Sequence, residues 1–179
     1  FLERSGEELT PVAWCETGFS FSGDTGRFSK DPDYAAGLYY LQEPSAMAPA
    51  AIVPVQPGDK VLDLCAAPGG KSTQLACAMG GQGLLVSNEI VPRRAQILSR
   101  NMERLGIMNS LVVSAQPAQL ATRWPGAFDA VLADAPCSGE GMFRKDVSLA
   151  KDWTPEKSQG LAKLQRALLE NAYALCRSG

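Results

Sequence analysis

Lys60-Val61-Leu62-Asp63-Leu64-Cys65-Ala66-Ala67-Pro68-Gly69-Gly70-Lys71 is an apolar run that ends near an acid and then breaks into small residues. Lys60 to Cys65 reads as a buried strand, and the small residues after it let the chain turn and let a ligand approach the backbone closely. Working outward, Gly70 to Met79 reads as a helix, Gly80 to Gly83 as a turn and Leu84 to Asn88 as a second strand. Pro92 to Leu105 repeats Ala95, Leu98, Met102 and Leu105 at helical spacing and stops at Gly106. Leu111 to Ser114 and Phe128 to Asp134 read as a third and a fourth strand. Thr154-Pro155-Glu156 opens a last helix whose Leu161, Leu164, Leu168 and Leu175 form one stripe, ending near Cys176. Strand and helix in alternation imply right-handed crossovers and an α/β fold, a Rossmann-like doubly wound parallel sheet. Ligands of such sheets bind at the carboxyl ends of the strands.

Upstream the pattern is weaker. Residues 1 to 33 read as loops with a hairpin around Ser22-Gly23-Asp24, and Gly37 to Gln42 as a short strand. Glu43-Pro44-Ser45 opens a helix to about Val53, which Pro54 and Pro57-Gly58 close. We therefore divide the chain into an N-terminal extension, residues 1–34, and an α/β core, residues 35–179.

The chain has 179 residues, 45% apolar and 20% charged, enough for one domain with a core and too apolar for a disordered tail. No apolar run approaches the ~20 residues that cross a bilayer, and no charged leader opens the chain. A monomeric, cytoplasmic protein with no membrane partner is the expectation. Five cysteines at irregular spacing, without a C-x-x-C pair, fit neither a disulfide framework nor a zinc site, so no metal is expected. The sequence holds no histidine, which excludes Ser/His/Asp and Cys/His catalysis and leaves Cys, Asp, Glu, Lys and Tyr for chemistry. Residues 1 to 63 carry 10 acids and 4 bases, residues 64 to 179 carry 9 acids and 13 bases. The mildly basic second part suits a nucleic-acid partner and equally suits ordinary solvation. The chain opens on Phe1, and Arg177-Ser178-Gly179 stand where a turn into another strand belongs. We expect it to be a piece of a longer protein.

The turn after the first strand matches neither G-x-G-x-x-G nor the P-loop spacing, so a dinucleotide is disfavoured. Glu89 ends the second strand, 20 residues beyond Gly69, where an acid accepts hydrogen bonds from both ribose hydroxyls. A nucleoside without phosphates, such as S-adenosylmethionine, satisfies both observations, with its cation near Asp63 and Asp134. A tight turn followed by an exposed acid satisfies them too. In Asp134-Ala135-Pro136-Cys137 a carboxylate and a thiol stand three residues apart. That pair suits addition to a pyrimidine: a thiolate adding to carbon 6 of cytosine makes carbon 5 nucleophilic, and a carboxyl holds nitrogen 3. A free thiol has a pKa of about 8.5 and needs nearby positive charge to react; Lys71 is the candidate cation. The alternative for Cys137 is a small buried residue. Asp134, ending a buried strand, needs a partner in either case. Gly139 to Asp146 is a loop with an aromatic and two cations, a clamp on an RNA backbone or a solvated loop.

Cys65 to Lys71, Glu89 with Arg94 and Leu98 behind it, and Asp134-Ala135-Pro136-Cys137-Ser138-Gly139 resemble the Sun-type RNA cytosine-C5 methyltransferases. Tyr40-Leu41-Gln42-Glu43-Pro44-Ser45-Ala46-Met47 and Gly139 to Asp146 resemble the bacterial branch acting on small-subunit ribosomal RNA. The resemblance runs from Trp14 onward. It implies the class I S-adenosylmethionine-dependent methyltransferase fold, cut short at the C-terminus, and small-subunit rRNA as partner. It also implies that Cys65, Ala66, Ala67, Pro68, Gly69, Gly70 and Lys71 wrap the cofactor and that Glu89, with Arg94, takes its ribose. Asp134 then sits between cofactor and target base, and Lys71 reaches the substrate. Gln116 stands where the family has an acid on the adenine side, and an amide still bonds adenine. In the family the Pro-Cys cysteine, here Cys137, assists product release. The nucleophile lies in a Ser/Thr-Cys motif on the following strand, which this sequence does not reach, so the chain alone is expected to be inactive. DNA cytosine methyltransferases attack with a Pro-Cys cysteine, which leaves that role open to Cys137. An amino-methyltransferase would explain Asp134-Ala135-Pro136 but not Cys137. A non-catalytic RNA-binding or assembly module with the same fold is the remaining alternative.

Overall fold

Val61 and Leu62 point to opposite sides of one strand, and both are fully buried, so the sheet must be covered on both faces. The computed structural model describes residues 8–140 and 153–177. Its first strands, β1 (Thr10–Val12) and β2 (Cys15–Ser20), pair antiparallel, Thr10 opposite Ser20. Three helices follow: α1 (Thr25–Ser29), α2 (Pro32–Ala35) and α3 (Pro44–Ala51). The α/β series is β3 (Lys60–Asp63), α4 (Gly70–Ala78), β4 (Leu84–Asn88), α5 (Pro92–Arg104), β5 (Ser110–Val113), α6 (Pro117–Arg123), β6 (Ala130–Leu132) and α7 (Pro155–Leu175).

The main sheet is wholly parallel in the order β5-β4-β3-β6. The chain steps outward from β3 to β5, then crosses back to lay β6 on the other side of β3. The loops after β3 and β6 therefore diverge, which opens a crevice at the strand tips. Val61, Leu85 and Leu132 pack with Leu75, Met79, Leu98 and Met102 under α4 and α5. Leu62, Leu64 and Val86 pack with Leu120, Leu168 and Leu175 under α6 and α7. Each fully buried leucine stabilises by roughly 2–3 kcal/mol, so the alternation along β3 clamps the two helical layers to one sheet.

Several expectations need correction. The hairpin turns at residues 13 and 14, not around Ser22-Gly23-Asp24. Asp24 instead caps α1, its Oδ1 accepting the Gly26 N–H at 2.8 Å, a local bond that short acids make readily. Gly37 to Gln42 is no strand: Gly37 has φ +80° and its backbone packs on the Arg104 carbonyl, and among the described residues no strand lies alongside. The first strand stops at Asp63 and the fourth is only Ala130–Leu132, with Phe128 bridged to Cys176 instead. Helix α6 was not expected, because seven residues that open on a proline carry too few apolar positions for a period to show. In α7 Leu168 and Leu175 are buried, Leu161 is half-buried and Leu164 is exposed, because Leu164 faces the crevice rather than the sheet. Of the Gly139 to Asp146 loop, residues 141–146 lie outside the described residues.

The strand tips are tied together by one buried side chain. Asn88 donates from Nδ2 to the Leu64 carbonyl at 3.1 Å and accepts the Ala115 N–H on Oδ1 at 3.0 Å. Its own carbonyl accepts the Ala66 N–H at 2.8 Å. Replacing Asn88 by Ala leaves two backbone groups without partners near the core, each costing about 1–3 kcal/mol. Urea denaturation is expected to show a loss of about 2–4 kcal/mol; an unchanged midpoint would contradict this role.

Candidate functional site

The turn after β3 is fastened from the neighbouring helix. Arg94 Nη2 donates to the Ala67 carbonyl at 3.0 Å and Asn101 Nδ2 to the Pro68 carbonyl at 2.8 Å. Gly69 precedes α4 at φ +118°, where a side chain is strained, and a Cβ there would press on Leu98 at 3.1 Å. At Gly70 a Cβ would collide with the Gln42 carboxamide and stand 2.9 Å from the Tyr40 ring. The glycine pair thus lets both the helix and the Tyr40–Gln42 segment close on the turn.

Beneath the turn, Asp63 is wholly buried. Ser72 Oγ donates to its Oδ2 at 2.7 Å, and Ser87 Oγ donates on to Ser72 Oγ at 3.0 Å. Asp63 Oδ1 has no hydrogen-bond partner among the described residues. Burial pushes the Asp63 carboxyl up to about 6, with Ser72 and the Lys71 ammonium opposing the rise. Cys65 is pushed up to about 11 by burial and by the carboxylates of Asp63, Glu89 and Asp134. Its thiol is protonated at neutral pH and is no nucleophile.

A cleft of about 530 Å³ lies over the strand tips, within the ~300–1,000 Å³ usual for small-molecule sites. It brings together Cys65, Glu89, Arg94, Gln116, Asp134 and Cys137, and Ala67 joins them on its wall. Glu89 is 4% exposed, which removes the reading of an exposed acid. Its Oε1 accepts the Val91 N–H at 2.9 Å and its Oε2 faces Arg94 at 3.1 Å. A carboxylate has about four lone-pair sites, so Glu89 keeps capacity for two hydroxyl donors. Gln116 begins α6 at the cleft edge, its N–H bonded to Gln119 Oε1 at 3.1 Å. Cys137 is exposed rather than buried. Its turn is pinned by Gln165, whose Nε2 donates to the Pro136 carbonyl at 2.8 Å, and by Glu140, which accepts from Ser138 Oγ at 2.8 Å and Trp153 Nε1 at 2.7 Å.

A second hollow, about 270 Å³, lies on the other side of the turn, lined by Ala66, Pro68, Gly70, Lys71 and the Tyr40–Gln42 segment. Cys65, Ala67 and Asp134 belong to both hollows. Lys71 Nζ is 2.7 Å from Asp134 Oδ2, so Asp134 has the partner its position requires. Lys71 is thus engaged with Asp134, and it lines the small hollow while Cys137 lines the large one. Sequence reasoning gave no role to Asn88, Asn101 or Gln165. An asparagine closing the apolar run Leu84-Leu85-Val86-Ser87-Asn88 was the one available signal. Among the described residues no group of three or more Cys, Asp and Glu side chains is placed to hold a metal, and no helix is long and apolar enough to cross a membrane.

A parallel sheet with this crevice, a glycine turn after its first strand and an acid ending the second is the fold of the class I S-adenosylmethionine-dependent methyltransferases. The residues fit that cofactor: the cleft is large enough, and the Glu89 carboxylate offers acceptors without a phosphate-binding loop. The chain belongs to the 16S rRNA methyltransferase RsmB/F family, whose model matches residues 50–179; residues 1–44 match the N-terminal domain of 16S rRNA methyltransferase RsmF. It is 41% identical to ribosomal RNA small subunit methyltransferase F of Vibrio cholerae, over 100% of this chain and 39% of the relative. The protein of that name from Klebsiella pneumoniae is 40% identical over 97% of this chain and 38% of its own length. The chain therefore spans about two fifths of the length of these curated relatives. Among solved structures, a methyltransferase homolog from Pyrococcus horikoshii superposes with TM-score 0.86 at 29% identity, over 99% of this chain and 55% of that one. NSun6 from Pyrococcus horikoshii, solved with SFG, superposes with TM-score 0.77 at 27% identity, over 84% of this chain and 38% of that one. SFG is an S-adenosylmethionine analogue.

Two outcomes check the electrostatics. Because the folded Asp63 carboxyl titrates near 6 and an unfolded one near 4, it is neutral in both states below about pH 4 and costs stability as pH rises through 6. Between pH 4 and 7 wild-type stability is expected to fall relative to Asp63→Asn by on the order of 2–3 kcal/mol; parallel pH profiles would contradict this. At pH 8 iodoacetamide is expected to label exposed Cys77 and spare Cys65, about one part in a thousand of which is thiolate when its pKa is near 11. Equal labelling of the two in peptide mapping would contradict it.

Proposed function

We propose that this chain is the cofactor-binding part of a methyltransferase that modifies carbon 5 of a cytosine in small-subunit ribosomal RNA. One observation carries the reading: Glu89, from the end of β4, and Asp134 and Cys137, from the turn after β6, line a single cleft at the point where the strand order reverses. The names of the relatives supply the class of RNA. When bound, S-adenosylmethionine supplies an electrophilic methyl group. Glu89 holds the ribose hydroxyls, kept in place by Arg94 and the Val91 N–H. Gln116 bonds the adenine edge. Asp134, oriented by Lys71, holds the base through a proton shared between nitrogen 3 and its carboxyl. Cys137, at the mouth of the cleft, assists release of the methylated base. Among the described residues the cleft offers two thiols, Cys137 and the protonated Cys65. We therefore assign binding without turnover to the chain alone, with turnover belonging to the full-length protein.

Glu89→Ala is expected to weaken binding of sinefungin, an S-adenosylmethionine analogue, by roughly tenfold to a hundredfold, the loss of one or two hydrogen bonds to a charged group. Calorimetry showing unchanged affinity would remove Glu89 from the site. In the full-length protein, Cys137→Ala is expected to leave a covalent RNA adduct on a denaturing gel through slow release. Absence of that adduct would make Cys137 structural, or itself the attacking thiol. Turnover to 5-methylcytosine by the 179-residue chain alone would overturn the assignment of binding without turnover.

A further inference from the structure

The Tyr40 to Met47 stretch plays no part in the function proposed above, yet the fold brings its first half to the Lys71–Asp134 pair. Three contacts put it there. Arg104, at the end of α5, donates to the Tyr34 carbonyl at 2.5 Å and the Tyr39 carbonyl at 3.3 Å, and its guanidinium lies 4.0 Å from the Tyr34 ring centre. The backbone at Gly37 rests on the Arg104 carbonyl, a fit only a residue without a Cβ allows. The Tyr40 ring lies against the backbone of Gly70 at the start of α4, so close that a Cβ there would stand 2.9 Å from it. The segment is thereby fixed against the small hollow, and Gln42 lines that hollow with Lys71 and Asp134.

The Gln42 side chain is half-buried and has no hydrogen-bond partner among the described residues. A carboxamide with two donors and an acceptor, held without partners in a concave site, is suited to a polar ligand. The kind of ligand follows from the two hollows. They meet at Cys65, Ala67 and Asp134, and group transfer needs donor and acceptor molecules in adjoining spaces that meet at the reacting atoms. With Glu89 and Gln116 placing a nucleoside in the large cleft, the small hollow is left to the acceptor. Its ammonium, carboxylate and carboxamide, set among Leu41, Ala46, Ala66 and Pro68, match a pocket that takes a flipped-out base by its hydrogen-bonding edge.

We propose that Gln42 is a specificity-determining residue that hydrogen-bonds the unpaired pyrimidine lying against Lys71 and Asp134, with Arg104 and Tyr40 positioning it. This rests on the function proposed above. The test uses the full-length protein, sinefungin, and the 16S rRNA fragment it methylates, prepared with the target cytosine and with an abasic ribose in its place. Fluorescence anisotropy measures RNA affinity for wild type and for Gln42→Met, which keeps length and removes the hydrogen bonds. Removing the base is expected to cost wild type roughly tenfold or more in affinity and Gln42→Met less than about threefold, the coupling of one or two hydrogen bonds. The sinefungin affinity of Gln42→Met is expected to stay within about twofold of wild type, as for a residue outside the nucleoside cleft. Equal losses for both proteins, or a matching loss of sinefungin affinity, would overturn the assignment of Gln42. A full-length protein that methylates no cytosine of 16S rRNA would instead overturn the function on which it rests.

Discussion

Three parallel strands end side by side in this molecule, and their last peptide groups have no further ladder to join. The Asn88 carboxamide resolves that problem by bonding Leu64 beyond β3 and Ala115 beyond β5 at once. The Leu64 N–H reaches Leu132 of β6 at 2.8 Å, and the Glu89 N–H reaches Val113 of β5 at 3.1 Å. All four strands are therefore held in a fixed relation at the edge where they stop. Buried backbone groups left unpaired are costly, so this closure fixes where Glu89, Asp63 and the glycine turn emerge.

The cofactor turn is then held from both sides. Below it, the Ser87–Ser72–Asp63 chain ties β4 and α4 to the end of β3 through buried polar atoms. Above it, Arg94 joins the Glu89 carboxylate to the Ala67 carbonyl, and Asn101 holds Pro68. Arg94 thus links the second strand's acid to the first strand's loop, the two parts to which we assign the nucleoside. A ligand met by prearranged groups forfeits less ordering entropy on binding. The Cys137 turn is fastened separately, through Gln165 of α7 and through Glu140, which couples the reactive side of the cleft to the helical layer behind it.

The α/β alternation was legible because strands buried on both faces read as continuous apolar runs, and because Gly106 and the Gly80–Gly83 turn punctuate the helices. Glu89 and Asp134 were legible as acids ending such runs. Less was legible where long-range partners decide the backbone. Gly37 to Gln42 has the composition of a strand, but Arg104 takes the Tyr34 and Tyr39 carbonyls, and no strand among the described residues competes for them. The Lys71–Asp134 pair joins the start of α4 to the loop beyond β6, a closeness set by the strand order rather than by any local pattern. Asn88 looked like an ordinary strand end because its role depends on two loops more than twenty residues away in opposite directions.

The most direct measurement is a crystal structure of this chain with sinefungin bound. The account predicts the ribose hydroxyls on the Glu89 carboxylate, the adenine edge beside Gln116, and the amino-acid end directed toward Asp134. A nucleoside seated away from Glu89, or bound outside the cleft that Glu89, Asp134 and Cys137 share, would contradict it.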